Sequence, residues 1–326
     1  MKRVSLLIPA YNEEKSLDSL YVAISEFADI HTEYEWEFLF INDGSKDRTL
    51  ECLRELREKD DRVCFVDLSR NFGKEVAMLA GFDHVTGDCA IILDADLQMP
   101  PRYIHEMLQH WEEGYDDVYA RRLGRETDSF LRKSFSLLYY RMLERFTKEK
   151  SVQNVGDFRL LDRKCINTLK QLRESQRYTK GMYSWIGYRK YEITYTHEER
   201  NEGISSFNFF SLLSLAIEGV TSYTTIPLRL SAALGFLVSI FTFIYMVVVF
   251  VKTIIYGANV DGYPSLMLTI LLLGGVQLIS LGIIGEYLGR IFNETKRRPT
   301  YVVREFQGEQ NSVLNEEVVE GVAERV

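Results

Sequence analysis

Along the first two hundred residues, short apolar and β-branched runs alternate with stretches in which apolar positions recur every three or four. The runs "VSLLIPAY", "EFLFINDG", "VCFVDLS" and "CAIILDAD" each end in turn-forming or polar residues, as strands do. Between them, "KSLDSLYVAISEFA" and "GKEVAMLAGFDHV" carry the spacing of helices that pack by one face. This alternation predicts an α/β domain on a mostly parallel sheet with helices on both faces. Ligands of such sheets bind beyond the carboxyl ends of the strands. Pro9-Ala10-Tyr11-Asn12, Asn42-Asp43-Gly44 and Asp94-Ala95-Asp96 fall at those ends, so three polar strand ends are expected to converge on one site.

The pattern changes after residue 205. The stretch 207–220, "FNFFSLLSLAIEGV", carries a single charge, Glu218, and reads as an interfacial helix leading into a membrane. The segment 129–146, "SFLRKSFSLLYYRMLERF", mixes aromatic, aliphatic and basic residues; it fits a helix packed on the sheet or one lying on a bilayer. Leu230 to Val251 contains no charge. As a helix it would run roughly 33 Å, enough to cross. Leu266 to Gly285 is a second uncharged run, broken only by Gln277 and glycines. Arg229 precedes the first span and Arg290, Lys296, Arg297 and Arg298 follow the second, whereas the loop 252–264 holds only Lys252 and Asp261. The positive-inside rule therefore places the sheet domain and both termini in the cytoplasm. The expected organisation is a catalytic domain over 1–205, an interfacial region over 206–228, two transmembrane helices over 229–289 and a tail over 290–326. The acidic end of that tail, after Tyr301, is expected to be disordered. Gly282, Gly285 and Gly289 make a small-residue face that hints at homo-oligomers.

Composition narrows this further. A net charge of −8 argues against a nucleic-acid binder. Cys52, Cys64, Cys89 and Cys165 show no metal or disulfide spacing and read as reduced thiols. The opening "MKRVSLLIPAYNEE" has too short an apolar run for a signal peptide.

The chemistry centres on "IILDADLQMPP", which sets Asp94 and Asp96 where an apolar strand runs out. At a strand end, where the chain turns, carboxylates at i and i+2 can reach one ion. A hard divalent cation, Mg²⁺ or Mn²⁺, takes one or two carboxylates plus phosphate oxygens, and Gln98 could add a carbonyl oxygen. Asp43, at another strand end, is placed to hydrogen-bond a base or ribose. A haloacid-dehalogenase phosphatase also ends a strand in DxD, but it wants Thr or Val where this chain has Gln98, and it uses the first strand rather than the fourth.

Six segments in order, "SLLIPAYNEE", "FINDGSKDRTL", "SRNFGKEVAMLAGFDHVTGD", "ILDADLQMPP", "NVGDFRLLDR" and "IIGEYLGRIFNETKRRPTY", resemble the polyprenyl-phosphate glycosyltransferases of the GT-A-fold, inverting family 2. That family includes dolichyl-phosphate mannose synthases and the bacterial two-span undecaprenyl-phosphate glucosyltransferases, to which the resemblance is greatest. It implies a Rossmann-like GT-A domain in which Pro9, Tyr11, Glu13 and Asp43 hold the nucleotide. Asp94, Asp96 and Gln98 would hold Mg²⁺ or Mn²⁺ on the donor diphosphate, with Arg122 and Arg125 beside the phosphates. Asp157, in "GDFR", matches the family's proposed catalytic carboxylate, and Arg159 and Arg200 are weaker candidates for the acceptor phosphate. Two positions depart from the family pattern. Met99 stands where an acidic residue or His is usual, and Ser206 stands where Lys is usual; Arg200 or Lys180 would have to supply that charge.

The implied reaction moves a sugar onto undecaprenyl phosphate at the bacterial plasma membrane; the subgroup resemblance favours glucose from UDP-glucose, with UDP-N-acetylglucosamine, UDP-galactose and GDP-mannose open as donors. The phosphate's second pKa is near ~6, so it is mostly dianionic at neutral pH and hardly needs a base. Asp157 is thus as well suited to positioning the acceptor or sugar as to removing a proton. The competing class is a non-catalytic nucleotide-sugar-binding scaffold, against which the retained Asp94, Asp96, Gln98 and Asp157 argue. A processive synthase would carry a Gln-x-x-Arg-Trp motif and more spans.

Overall fold

The computed structural model describes residues 1–95, 102–122, 155–175, 177–195, 226–256 and 262–308. The chain divides into two units, Met1–Ser205 with Pro299–Val326, and Ser206–Arg298. In the first unit, β1 (Lys2–Ala10), β2 (Tyr34–Asn42), β3 (Val63–Leu68), β4 (Cys89–Ile92), β5 (Asp117–Arg122), β6 (Val155–Asp162), β7 (Lys190–Tyr195) and β8 (Val303–Gln307) form one sheet. Its order is β7-β5-β6-β4-β1-β2-β3-β8.

Helices α1 (Leu17–Ile30), α2 (Thr49–Lys59) and α4 (Arg102–Glu112) cover one face; α3 (Lys74–His84), α5 (Arg163–Gln171) and α6 (Thr179–Trp185) cover the other. Successive strand residues point to opposite faces. Leu6 and Ile8 of β1, with Phe38 and Phe40 of β2, enter the first core beside Leu17, Leu20 and Ile24 of α1. Leu7, Leu39 and Ile41 enter the second beside Ala77, Met78 and Phe82 of α3. Burial on both faces explains why these strands read as unbroken apolar runs.

The sheet is mixed, which corrects the expectation of a mostly parallel one at the point that matters. β1, β2, β3 and β4 are mutually parallel, as read from the alternation. β6, however, is inserted antiparallel between β4 and β5, and β7 then pairs parallel with β5. β8 was not anticipated in the polar tail. It pairs antiparallel with β3, and Arg54 and Glu305 join it to α2 by an ion pair. Arg304 adds a bond to the Ser69 carbonyl at 2.7 Å, and the Tyr301 hydroxyl donates to Asp83 at 2.6 Å. Order therefore extends past Tyr301, and the acidic end, 309–326, lies outside the described residues.

In the second unit, α7 (Ile226–Tyr256) and α8 (Tyr263–Thr295) are two long helices of 31 and 33 residues. The first expected span lies within α7 and the second within α8. Among the described residues one segment, Leu272–Thr295, is long and apolar enough to cross a membrane, with mean hydropathy 1.4; α7 shows a shorter apolar stretch, Gly235–Tyr245. Within α8, Glu286 and Arg290 are paired at 3.0 Å one turn apart, so their charges partly offset each other. The segments 129–146 and 207–220, read as candidate bilayer helices, lie outside the described residues.

One glycine sets the geometry of the β2 carboxyl end. Gly44 has φ +62°, and a Cβ there would overlap the backbone of Arg70 and Asn71. Gly44→Ala is expected to destabilise the protein by more than about 2 kcal/mol, since both the backbone conformation and the contact resist a side chain. A urea titration measures this, and a change below half that figure would refute the assigned packing.

Candidate active site

The loops that follow β1 and β2 are knitted together at the carboxyl edge of the sheet. Asn12 N–H donates to Ser45 Oγ at 2.9 Å and Lys46 N–H donates to Asn12 Oδ1 at 2.9 Å. Glu13 N–H donates to Thr49 Oγ1 at 2.9 Å, which ties the first loop to the start of α2. Pro9 is in β1 and Tyr11 follows it with its ring exposed, free to lie against a planar ligand. The Glu13 side chain accepts from Ser16 Oγ and stays within its own turn.

Asp43 is differently placed from the expectation. It is 3% exposed, and its two oxygens accept from the backbone amides of Phe72 at 2.7 Å and Gly73 at 2.9 Å. Burial raises its pKa, and the two amide bonds pull it back only in part. Asp43 thereby braces the entry into α3, and any contact with a nucleotide would have to share those oxygens.

The next residue after that brace is Lys74, the first of α3. Its ammonium donates to Asp94 Oδ1 at 2.5 Å and lies 2.8 Å from Asp157 Oδ2. The three groups come from three elements: the start of α3, the end of β4 and β6. The antiparallel register explains the meeting. Ile92 pairs with Arg159 across β4 and β6, so extending that register by two residues sets Asp157 opposite Asp94. Two carboxylates facing each other repel, and the Lys74 ammonium between them offsets this. Burial works against the Lys74 charge, but the two carboxylates outweigh it and hold its pKa above that of ordinary lysine. Burial likewise pushes Asp157 up, yet Lys74 and Lys180 leave it below the usual carboxylate range. Asp157 is therefore ionised at neutral pH. Its Oδ1 is buried with no hydrogen-bond partner. Such an oxygen marks a position that a donor must meet.

Arg159 is 3% exposed, donates to Asp117 Oδ2 at 3.0 Å and stacks its guanidinium 3.6 Å from the Tyr183 ring centroid. Asp117 is itself fully buried. Arg159, read as a weaker candidate for the acceptor phosphate, is thus buried in the structure, where it neutralises a core carboxylate. Arg122 is the last residue of β5, and only its backbone is described. Asp96, Gln98, Met99, Arg125, Arg200 and Ser206 lie outside the described residues. Among those described, no group of three His, Cys, Asp or Glu side chains encloses a metal position. A cavity of about 440 Å³ lined by Lys2, Tyr34, His105 and Glu112 sits at the opposite, amino ends of β1 and β2.

Lys74 escaped the reading of the sequence, although the segment containing it was singled out. One local signal was available. A cation in the first turn of a helix faces the positive end of the macrodipole and costs a few tenths of a kcal/mol or more. Its presence there suggests that anions beyond the helix hold it.

A sheet with a parallel core and acidic residues gathered at its carboxyl edge, followed in the chain by two long helices, defines an α/β protein whose polar strand ends meet at one edge. The family model for glycosyl transferase family 2 matches residues 5–169, and that for the GtrB C-terminal hairpin matches residues 226–291. The chain is 43% identical over 305 residues to an uncharacterised glycosyltransferase of Synechocystis, covering 94% of this chain and 96% of that one. It is 42% identical to the bactoprenol glucosyl transferase of Shigella phage SfX, covering 93% of this chain and 99% of that one. A prophage bactoprenol glucosyl transferase homologue of Escherichia coli K12 is 41% identical, at 93% and 98% coverage. The chain belongs to glycosyl transferase family 2, and its fold is the GT-A fold of that family with a mixed sheet.

Proposed function

We propose that this glycosyltransferase moves glucose from UDP-glucose to undecaprenyl phosphate, with inversion, at the cytoplasmic face of a bacterial plasma membrane. The observation that carries the reading is the convergence of Asp94 and Asp157 on Lys74 at the carboxyl edge of the sheet, in a chain aligned end to end with bactoprenol glucosyl transferases. In this reading α7 and α8 both cross the bilayer, leaving the catalytic domain and both termini in the cytoplasm. A lipid acceptor, whose chain stays in the membrane, needs the site held near the headgroups.

The donor set fits Mg²⁺ or Mn²⁺. Asp94 presents a partly exposed carboxylate that already holds one cation, the Lys74 ammonium, and Asp96 and Gln98 follow in sequence with further oxygens. When bound, the metal would offset charge on the departing nucleoside diphosphate. Pro9, Tyr11 and Glu13 hold the nucleotide and Arg122 and Arg125 the diphosphate, while Asp43 shapes the loop beneath. An acceptor phosphate oxygen bonds to the anomeric carbon as the bond from that carbon to the diphosphate breaks, and UDP departs. Arg200 and Lys180 are the cations assigned to the acceptor phosphate.

Asp157 positions rather than abstracts. A carboxylate held below its usual pKa is a weak base, and a dianionic phosphate has no proton to lose. Between pH 5 and 9 the rate should therefore show one ascending limb, near ~6, set by the acceptor phosphate. A limb above pH 7 that vanishes in Asp157→Asn would restore the base assignment.

The direct test uses the purified chain in lipid with Mg²⁺ or Mn²⁺, undecaprenyl phosphate and a panel of radiolabelled nucleotide sugars. Label entering the lipid phase from UDP-glucose, and lost with EDTA, is the expected result. Label from another donor alone would replace glucose; none from any donor, with nucleotide still bound, would favour a scaffold.

A further inference from the structure

We propose that Lys74 is a positioning residue that keeps the metal and Asp157 apart. Its ammonium lies between Asp94 and Asp157, so a divalent cation on Asp94 is kept from the side shared with Asp157, and Asp157 stays reserved for substrate. The inference rests on the metal-binding reading of Asp94 given above.

The geometry supplies the reason. Asp94, two residues past the end of β4, and Asp157 of β6 both reach the Lys74 ammonium, so two carboxylates stand close enough to share one hard cation. A metal seated there would draw Asp157 into its coordination sphere and away from the sugar or acceptor. Lys74 reaches both carboxylates at once, 2.5 Å from Asp94 Oδ1 and 2.8 Å from Asp157 Oδ2, and so occupies that position with a cation that cannot bind diphosphate through shared ligands. It is also held from behind. Asp43 fixes the amides of Phe72 and Gly73, and Glu75 accepts from Thr179 N–H at 2.8 Å, so the residues on either side of Lys74 are anchored to the sheet edge and to α6. A lysine on a loose loop could swing away as metal arrived; this one is aimed.

The test is a binding cycle on the full-length protein in lipid, read by Mn²⁺ electron paramagnetic resonance without nucleotide. Lys74→Gln should tighten Mn²⁺ at least about threefold, because a neighbouring positive charge is gone and Asp157 becomes a ligand. Asp157→Asn should remove the part of that gain due to ligation in the Lys74→Gln background, leaving the smaller part due to the lost charge, yet change Mn²⁺ affinity little on its own. At saturating metal, Lys74→Gln should lower kcat by about 10–100-fold, the usual effect of losing a group that orients ligands, with the donor KM nearly unchanged. Lys74→Arg, which keeps the charge, should restore Mn²⁺ affinity to that of the parent. Unchanged or weaker Mn²⁺ binding in Lys74→Gln, or a gain that Asp157→Asn leaves undiminished, would overturn the inference. Asp94→Asn separates the two levels: if it leaves Mn²⁺ binding intact, the metal reading itself falls and this inference with it. If Asp94→Asn abolishes binding while Lys74→Gln has no effect, only the inference falls.

Discussion

Asp94→Asn is expected to lower sugar transfer by about 10²–10³-fold, the range for removing one charge-stabilising group from a reaction centre, while leaving the protein folded. The two halves of that expectation come from different parts of the structure. Asp94 lies two residues past the end of β4, with its side chain about 38% exposed, so it contributes little to either core. Its link to Lys74 is a partly exposed ion pair of the kind worth about 1 kcal/mol or less, and Asp157 still holds Lys74 in the variant. Thermal unfolding should shift by only a few degrees. Transfer and Mn²⁺ binding should fall together, since the amide keeps the shape of the carboxylate but not its charge. A variant that retains transfer within threefold would show that the strand-end aspartate is not a metal ligand.

Arg159→Met carries the largest expected effect on stability. It leaves Asp117 fully buried without its partner, and breaking one side of a buried pair costs about 3–5 kcal/mol. For a domain of this size that corresponds to a fall in Tm of roughly 6–20 °C. Burial already raises the Asp117 pKa, and Arg159 is the group that pulls it back, so the variant aspartate would tend to take up a proton. The double variant Arg159→Met/Asp117→Leu should recover most of the loss, because a packed apolar pair removes both desolvation costs. Calorimetry of the two variants checks this. An Arg159 that bound the acceptor phosphate would behave oppositely: Tm would hold and the acceptor KM would rise.

Much of the catalytic domain was legible from pattern. Runs such as "EFLFIN" are apolar at every position because β2 is covered on both faces, and strand–helix alternation then implies parallel neighbours for β1 to β4. The polar residues ending those strands marked one edge of the sheet, and two of them, Asp43 and Asp94, do meet the first turns of α3 there. Long uncharged runs likewise announced α7 and α8. For Asp43 and Arg159 the structure adds partners that the sequence does not announce. A charged residue at a strand end or in a motif looks available to a ligand, and only its neighbours reveal that backbone amides or a buried carboxylate have already claimed it.

Residue order alone thus determined the layered α/β domain, the edge at which polar groups gather and the membrane-length helices, because each is encoded in local periodicity. Tertiary structure alone decided that β6 runs against β4, that β8 returns to close the sheet and that Lys74 spans two carboxylates. The physical reason lies in the pattern itself. Alternation of apolar and polar positions is the same read in either direction, so it reports which face of a strand is buried but not which way the strand points. Had β6 run parallel to β4, Asp157 near its start would lie at the far end of the sheet from Asp94. The reversal of one strand is what makes the two carboxylates a single site.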